Sequence, residues 1–421
     1  MRRTLIGFAL LFVAACSFSA RGSGFYRQYW AEPDPNVSNC RRWLRVNDTE
    51  LSLHETFGRR DEARANGLML LAIDEDLFGL ERAELYLEMW GGHPGTANAR
   101  FLPNGKQLYQ IPEVGAESGN CTYSYPAVAI KVQHLVRGVN AFQFACDRGE
   151  SFWGHFIIDN AAVRCHLKAD HPDVARAGLK GFAAELRPPA DETPGDITEV
   201  SLSYPARFEQ EILSVDYLGR YHGFDDNGNG LDDDWHGFTY KRQWRNHVGS
   251  ATSPPFSVKW DTSMIPSQAR PMALRAVVNL KGGLHYATGV LEGLTFPRRR
   301  NRVKMYKCSS MPVPFWSRAS RLKKATIVLP ADVSLLERVR LLVKIWDGGE
   351  GGVKEPFKIN GHPYSITSRR AVHDVVFTVA DVQPGHLRAG ENEITLLSDT
   401  EHHGIEVLLP GPVLVARYRA E

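Results

Sequence analysis

A pattern of residues written twice, 256 positions apart, restricts this chain more than any other feature. Leu80-Glu81-Arg82, Trp90, Gly92 and Asn104-Gly105 recur as Leu336-Glu337-Arg338, Trp346, Gly348 and Asn360-Gly361. Further on, Gly138-Val139-Asn140 precedes one alternating run and Gly390-Glu391-Asn392 precedes another. Preserved gaps of this kind mean two copies of one unit. The segments Gly67–Ile73, Ala83–Trp90, Val128–Leu135 and Asn140–Cys146 alternate apolar with polar residues and are bounded by Gly, Pro, Asn or Asp. That is strand patterning, with Asn-Gly pairs closing hairpins, and it leaves no room for crossover helices.

The expected fold is therefore all-β, with three β-sandwich domains: two jelly-roll-like copies at residues 25–168 and 298–421, and a different sandwich at 197–297 between them. FLPNGK and FKINGH, followed later by LVRGVNAFQF and LRAGENEITL, resemble the strand, Asn-Gly, strand, Gly-x-Asn, strand signatures of galactose-binding-like jelly rolls. Such domains occur as carbohydrate-binding modules and in large glycosidases, so the resemblance implies a carbohydrate partner but transfers no contact residue. The run Gly249–Thr252, then Pro255–Thr262 and Met272–Asn279, resembles a bacterial Ig-like domain, a family of spacers and adhesion modules. Residues 169–196 read as a linker opening with a short helix at Pro172–Leu186, and Tyr217–Asn246 reads as an insertion into the Ig-like unit.

Inside that insertion lies DDNGNGLDDDW. Asp225, Asn227 and Asn229 stand at positions one, three and five of an EF-hand calcium loop, with Gly230 at six, Leu231 at seven and Asp233 at nine. His236 at the twelfth position departs from the pattern, which needs a bidentate Glu there. The spacing implies a structural Ca2+ site made by Asp225, Asn227, Asn229, Leu231 and Asp233, on a surface excursion tethered by the ion. A bare Asp/Asn/Gly turn is the alternative.

The first sixteen residues, MRRTLIGFALLFVAAC, have a basic start and an apolar run too short to span a bilayer, as a secretory signal does; 1–20 is read as the signal peptide. Val13-Ala14-Ala15-Cys16 resembles a lipoprotein lipobox, which implies lipidation of Cys16, residence in the cell envelope as an outer-membrane lipoprotein, and membrane contact only through that anchor. Cleavage after Ala20 and secretion is the other reading. With 50 basic and 48 acidic residues, nothing global argues for nucleic acid. In an oxidising compartment Cys40, Cys121, Cys146 and Cys165 suggest two disulfides. Of the three pairings, Cys121–Cys146 and Cys40–Cys165 are favoured, with Cys308 a buried free thiol.

Two function classes follow. One is a non-catalytic binder of polysaccharide or glycoconjugate, with acidic glycans among the candidates because of the run Arg298–Lys304. The other is a polysaccharide-acting enzyme, a glycoside hydrolase or uronate-directed lyase, sited at the insertion where Tyr221, His222, His236 and Arg242 are the candidate proton-transfer and charge-neutralising groups. A structural role in the envelope is a third. Trp90 and Trp346 are either paired core residues or sugar platforms.

Overall fold

A computed structural model describes residues 23–31, 44–46, 67–91, 96–112, 114, 119–148, 156–188, 196–295, 302–368 and 372–419. The signal segment, Cys16 and Cys40 lie outside them. The described chain is nearly all β.

The two copies have the same strand order. In the first, one sheet runs Leu68–Ile73, Gly138–Arg148, Thr96–Pro103, Tyr109–Gln110, and the other runs Gly24–Trp30, Phe156–Leu167, Leu80–Gly91, Ala127–Ile130. In the last, the corresponding orders are Lys323–Leu329, Gly390–Leu396, Phe357–Ile359, His362–Pro363, and Arg302–Ser310, Val413–Tyr418, Leu336–Gly348, Asp374–Val382. The repeated asparagines hold the same knot in both. Asn104 Nδ2 donates to the His134 carbonyl and to Asn140 Oδ1, while Asn140 donates to the Val136 and Gly138 carbonyls. Asn360 and Asn392 reproduce this at His386, Arg388 and Gly390. Asn104 and Asn360 sit at φ 49° and 50°, a left-handed conformation that asparagine tolerates. This explains why the turn residues survive in both copies.

The middle domain shares a sheet with the first. Gly24–Trp30 pairs with Phe156–Leu167 on one edge and with Leu284–Ala287 on the other. From there the sheet continues through Met272–Leu280 and Ile212–His222 to Asp233–His236. One apolar core runs under both units, from Leu85, Phe101 and Val163 to Val215, Leu274 and Tyr286. The third domain has its own core around Leu341, Ile345, Ile394 and Leu414. The expected helix at Pro172–Leu186 is a single turn, Pro172–Arg176, because Gly178 at φ 73° ends it; Leu179, Phe182 and Ala184 then pack into the shared core.

Candidate functional site

The Asp/Asn/Gly loop is the tip of a hairpin between Ile212–His222 and Asp233–His236, with His222 opposite Asp233. The surface position expected for it is wrong. Asp225, Asp226 and Asn227 are each less than 5% exposed, and a Cβ on Gly228 (φ 71°) would lie 2.9 Å from Thr122 of the first domain and 2.8 Å from Leu409 of the third. The tip is wedged where all three domains meet. This burial follows from neighbours far away in sequence, which loop composition does not encode.

The Asp225 carboxylate accepts from the N–H of Asn229 at 3.1 Å and of Gly230 at 2.7 Å. Asn227 Oδ1 accepts from Asn229 N, and Asn229 Oδ1 accepts from Leu231 N. Burial raises the Asp225 pKa against the pull of these N–H groups and of Lys344. This donor set is oxygen only, which suits calcium rather than zinc. Asp233 lies apart on the strand, 3.9 Å from Arg270, and His236 supplies no oxygen. Two lysines of the third domain serve the same hairpin: Lys307 pairs with Asp232 at 2.5 Å, and buried Lys344 donates to the Asp226 carbonyl and to the Tyr123 carbonyl at 3.1 Å. Among the described residues these are basic groups of the third domain that meet the acidic loop, while residues 298–301 of the basic run lie outside the described residues.

The four proposed proton-transfer residues do not share one cleft. Tyr221 and His236 stack at 4.0 Å, and His236, only 3% exposed, sits between Asp226 (3.2 Å) and the Tyr221 carbonyl (2.8 Å). Burial opposes a charged ring there, but Asp226 outweighs it and raises the His236 pKa. His222 is tied through its main chain to Gln268. Arg242 lies elsewhere, in the turn of the hairpin Phe238–Tyr240/Gln243–Arg245, with its guanidinium 5.6 Å from the Trp30 ring.

That second hairpin lies on the polar face of the shared sheet. Tyr86 Oη bonds to Thr239, and the buried Glu88 carboxylate accepts from the main-chain N–H of Lys241 (2.8 Å) and Arg242 (3.0 Å), both at positive φ. Beneath it Arg164 reaches Glu84 at 3.4 Å and covers the Tyr86 ring at 3.8 Å; Arg275 lies 4.1 Å from the Trp235 ring. Burial alone would raise Glu84, but His166, Arg164 and Arg82 hold it down at about 2. Burial depresses Arg275 to about 9, and burial with Arg164 and Arg242 depresses His285 to about 4. A cavity lined by Tyr86, Tyr125, Asp234, Trp235 and Arg275 opens between hairpin and sheet. Trp30, Trp235 and Trp244 are half-buried around this face.

Next to Glu88 the ladder between Phe156–Leu167 and Leu80–Gly91 is irregular. Ile158 faces Met89 and Asn160 faces Glu88, so Asp159 is an extra residue, a β-bulge. Burial, then Asp374 and Glu88, push the Asp159 pKa well above the usual carboxylate range, against Lys241 and Tyr123. Asp374, at the start of a third-domain strand, pairs with Lys241. The alternation Glu84, Tyr86, Glu88, Trp90 inside a strand buried on both faces was the signal for this polar face. Trp90 itself is 5% exposed and packs with Cys121, Tyr123, Phe238 and Leu408, with Trp346 against the same cluster.

The Cys121–Cys146 bridge is not formed. Among the described residues Cys121, Cys165 and Cys308 are free thiols. Cys146 packs between the sheets of the first domain and donates to the Val46 carbonyl, whereas Cys121 lies in the junction cluster beside Glu406, so the two face different cores. Cys165 is a buried thiol, and its expected partner Cys40 lies outside the described residues.

No known family profile matches the sequence, and no curated protein matches it. Among solved structures, the chain is similar to a β-porphyranase of glycoside hydrolase family 86 from the human gut bacterium Bacteroides plebeius, at 11% identity and TM-score 0.23, over 54% of this chain and 36% of that one. It is also similar to a family 86 structure in complex with neoagarooctaose, at 12% identity and TM-score 0.24, over 53% and 33%. A third is an exo-β-1,3-galactanase from Phanerochaete chrysosporium with β-1,3-galactotriose, at 9% and 0.18, over 83% and 78%. The chain spans about a third of the length of the first two. At these scores the likeness says nothing about activity.

Proposed function

We propose that this is an exported polysaccharide-binding protein of three fused sandwiches, lipid-anchored through Cys16, whose binding face is the polar side of the shared sheet beside the second hairpin. One observation carries the reading: aromatic rings and guanidinium groups are stacked in pairs there, Arg275 on Trp235 and Arg242 near Trp30. Rings offer apolar faces to sugar C–H groups, and guanidinium forks recognise carboxylate or sulfate, so an acidic glycan suits this face best. Calcium at Asp225, Asn227, Asn229, Leu231 and Asp233 is proposed to brace the hairpin from which Trp235 projects. The buried side-chain oxygens of Asp225 and Asn227, with Asn229 beside them, support it, while Asp233 stands apart on the strand. Affinity electrophoresis of the purified protein through gels containing pectin, alginate, agarose or laminarin tests the reading. Retardation by an acidic polysaccharide, lost in Trp235→Ala, is expected; equal migration in all four gels and a blank gel overturns it.

A further inference from the structure

We propose that the end of the first sandwich at which strand Gly24–Trp30 begins is a membrane-docking face, and that Phe78 enters the lipid interface there. The inference rests on the reading of Cys16 as a lipid anchor and adds a second point of contact to it.

Strand registers define this end. Tyr26 faces His166, so Gly24 lies level with Lys168, and on the next strand Leu80 faces Leu167. Gly24 therefore stands two strand spacings, roughly 10 Å, from the turn Leu77–Gly79 that leads into Leu80. Seven residues separate Cys16 from Gly24, and eight residue steps reach roughly 28 Å at most. A lipid on Cys16 thus keeps this end within reach of the bilayer, whereas Trp30, at the other end of the strand, lies roughly 20 Å from Gly24.

Three observations single the end out. The first is Phe78 itself, which is 90% exposed, more than any other large apolar side chain among the described residues. The second is that its turn is fixed. Asp76 Oδ1 accepts from Phe78 N at 3.1 Å, the Lys168 ammonium donates to the Phe78 carbonyl at 2.6 Å, and Lys168 N donates to the Gly79 carbonyl at 3.0 Å. A Cβ on Gly79 would lie 2.2 Å from the His171 ring, so the turn is also packed tightly from behind. A ring on a slack loop folds back over neighbouring apolar surface. A ring on a turn held this way stays in water, at a cost, until an apolar phase covers it.

The third observation comes from the copy. Leu80-Glu81-Arg82 matches Leu336-Glu337-Arg338, which sets Phe78 at the position of an exposed serine, Ser334. Val136 is 41% exposed at the same end, where its neighbour Arg137 bonds Asp74, and its N–H donates to Asn140 Oδ1 as that of Arg388 donates to Asn392 Oδ1. The first domain, which follows Cys16, thus shows phenylalanine and valine where the third shows serine and arginine. The shared fold does not require the apolar side chains, since the third domain forms the same turn and the same knot with polar ones. Charge does not set the contact either, because exposed Lys131 and Lys168 are offset by exposed Asp76 and Asp170. What is left to recognise is an apolar ring, and the interface of an anchored bilayer is the partner that takes it.

Docked in this way, the strands of the shared sheet stand up from the lipid surface. The Trp30 and Arg242 pair is then carried roughly 20 Å above it, on a face turned sideways to a passing polymer.

The test uses the full mature chain, expressed with its own signal and returned from detergent to vesicles of phosphatidylethanolamine and phosphatidylglycerol. Bromine on the acyl chains quenches tryptophan within the lipid. Phe78→Trp and Ser334→Trp place one probe at the equivalent turns of the two copies; both positions are exposed, and each is read as emission added to that of the nine native tryptophans. The emission added by Phe78→Trp should fall about twofold or more in brominated vesicles relative to unbrominated ones, and that added by Ser334→Trp should not change. Equal quenching of both, or of neither, overturns the proposal. Mass spectrometry of the N-terminal peptide reads the anchor separately. Acyl chains on Cys16 with Phe78→Trp unquenched leave the anchor standing and remove the docking face, whereas a Cys16 without acyl chains removes the anchor and, with it, the docking face.

Discussion

Glu88 and Lys344 occupy the same position in the two copies, carry opposite charges, and grip opposite ends of the middle-domain insertion. Each is completely buried. Glu88 accepts the N–H groups of the Lys241–Arg242 turn, while Lys344 donates to the Asp226 carbonyl at the tip of the other hairpin. A duplicated strand has thus been turned into a clamp by changing one side chain from acceptor to donor. Because each charge bonds main-chain groups from inside the protein, removal takes a partner from each of those groups. Glu88→Ala and Lys344→Met are each expected to cost about 3 kcal/mol. Hydrogen exchange should speed up at Lys241 and Arg242 in the first variant and at residues 225–230 in the second. Unchanged exchange at both places would show that the clamp is dispensable.

The asparagine knot makes a second prediction, testable in duplicate. Asn140 and Asn392 are wholly buried, and each accepts one main-chain N–H and donates to two carbonyls. Alanine at either leaves those three groups unsatisfied, for about 2 to 3 kcal/mol each. Since the third domain has its own core, Asn392→Ala should lower a transition confined to it, whereas Asn140→Ala should lower the transition of the fused first and middle units. Calorimetry showing the same single transition lowered by both variants would mean the three domains unfold as one.

The fold was legible where chemistry repeats at a fixed offset. Asn104-Gly105 and Asn360-Gly361 carry a positive φ that few residue types accept, so both the turn and its copy survived in the letters. The site was less legible for a reason that spacing cannot repair. Glu88, Asp159 and Asp374 come from three separate strands, and nothing local marks a buried glutamate whose partners lie more than 150 residues on. The hairpin loop shows the converse failure. Its residues are the commonest turn formers, so they read as solvated, yet Gly228 is pinned between Thr122 and Leu409. The cysteines failed similarly, since Cys121 and Cys146 are near in sequence but serve different cores.

Glu406 provides a pH prediction. It is 3% exposed at the junction, and burial raises its pKa from 4.5 to about 7, with the Cys121 thiol opposing the shift. A carboxyl whose folded pKa lies above its unfolded value contributes stability that is complete below the unfolded pKa and is lost as pH rises through the folded one. The loss should therefore run from pH 4.5 to about 7 and amount to roughly 3 kcal/mol. Glu406→Gln removes the titration, so its stability relative to wild type should rise across that window and stay constant above it. Lys344 acts in the other direction: burial lowers it from 10.5 to about 8, so its cost is full below 8 and disappears above 10.5. Urea titrations of both proteins at several pH values measure the difference directly. A Glu406→Gln difference that does not depend on pH would show that Glu406 ionises in the folded protein as it does in the unfolded one.

Calcium gives the last prediction, and the position of the loop changes its expected reach. A cation bound by the folded form alone adds about 2.7 kcal/mol when its free concentration is a hundredfold above its Kd. Were the loop a surface excursion, that gain would be confined to the hairpin. Here Asp225, Asp226 and Asn227 are buried, Gly228 touches both flanking domains, and Lys344 and Lys307 approach from the third. Ordering the tip should therefore stabilise the junction itself, and calcium added to chelator-treated protein should raise the temperature at which the third domain separates from the fused pair, not only that of the middle unit. Asp225→Ala should remove the increase, since this carboxylate caps the turn at Asn229 and Gly230 and is the first of the proposed ligands. Magnesium should do much less, because it demands a compact octahedral shell that a hairpin tip of amide, carboxylate and carbonyl oxygens does not offer. The lysines sharpen the test. If they already balance the carboxylates, calcorimetric traces with excess chelator and with millimolar calcium will coincide and titration will detect no binding, and the loop is then a salt-bridged turn in which Lys344 takes the place assigned to the metal.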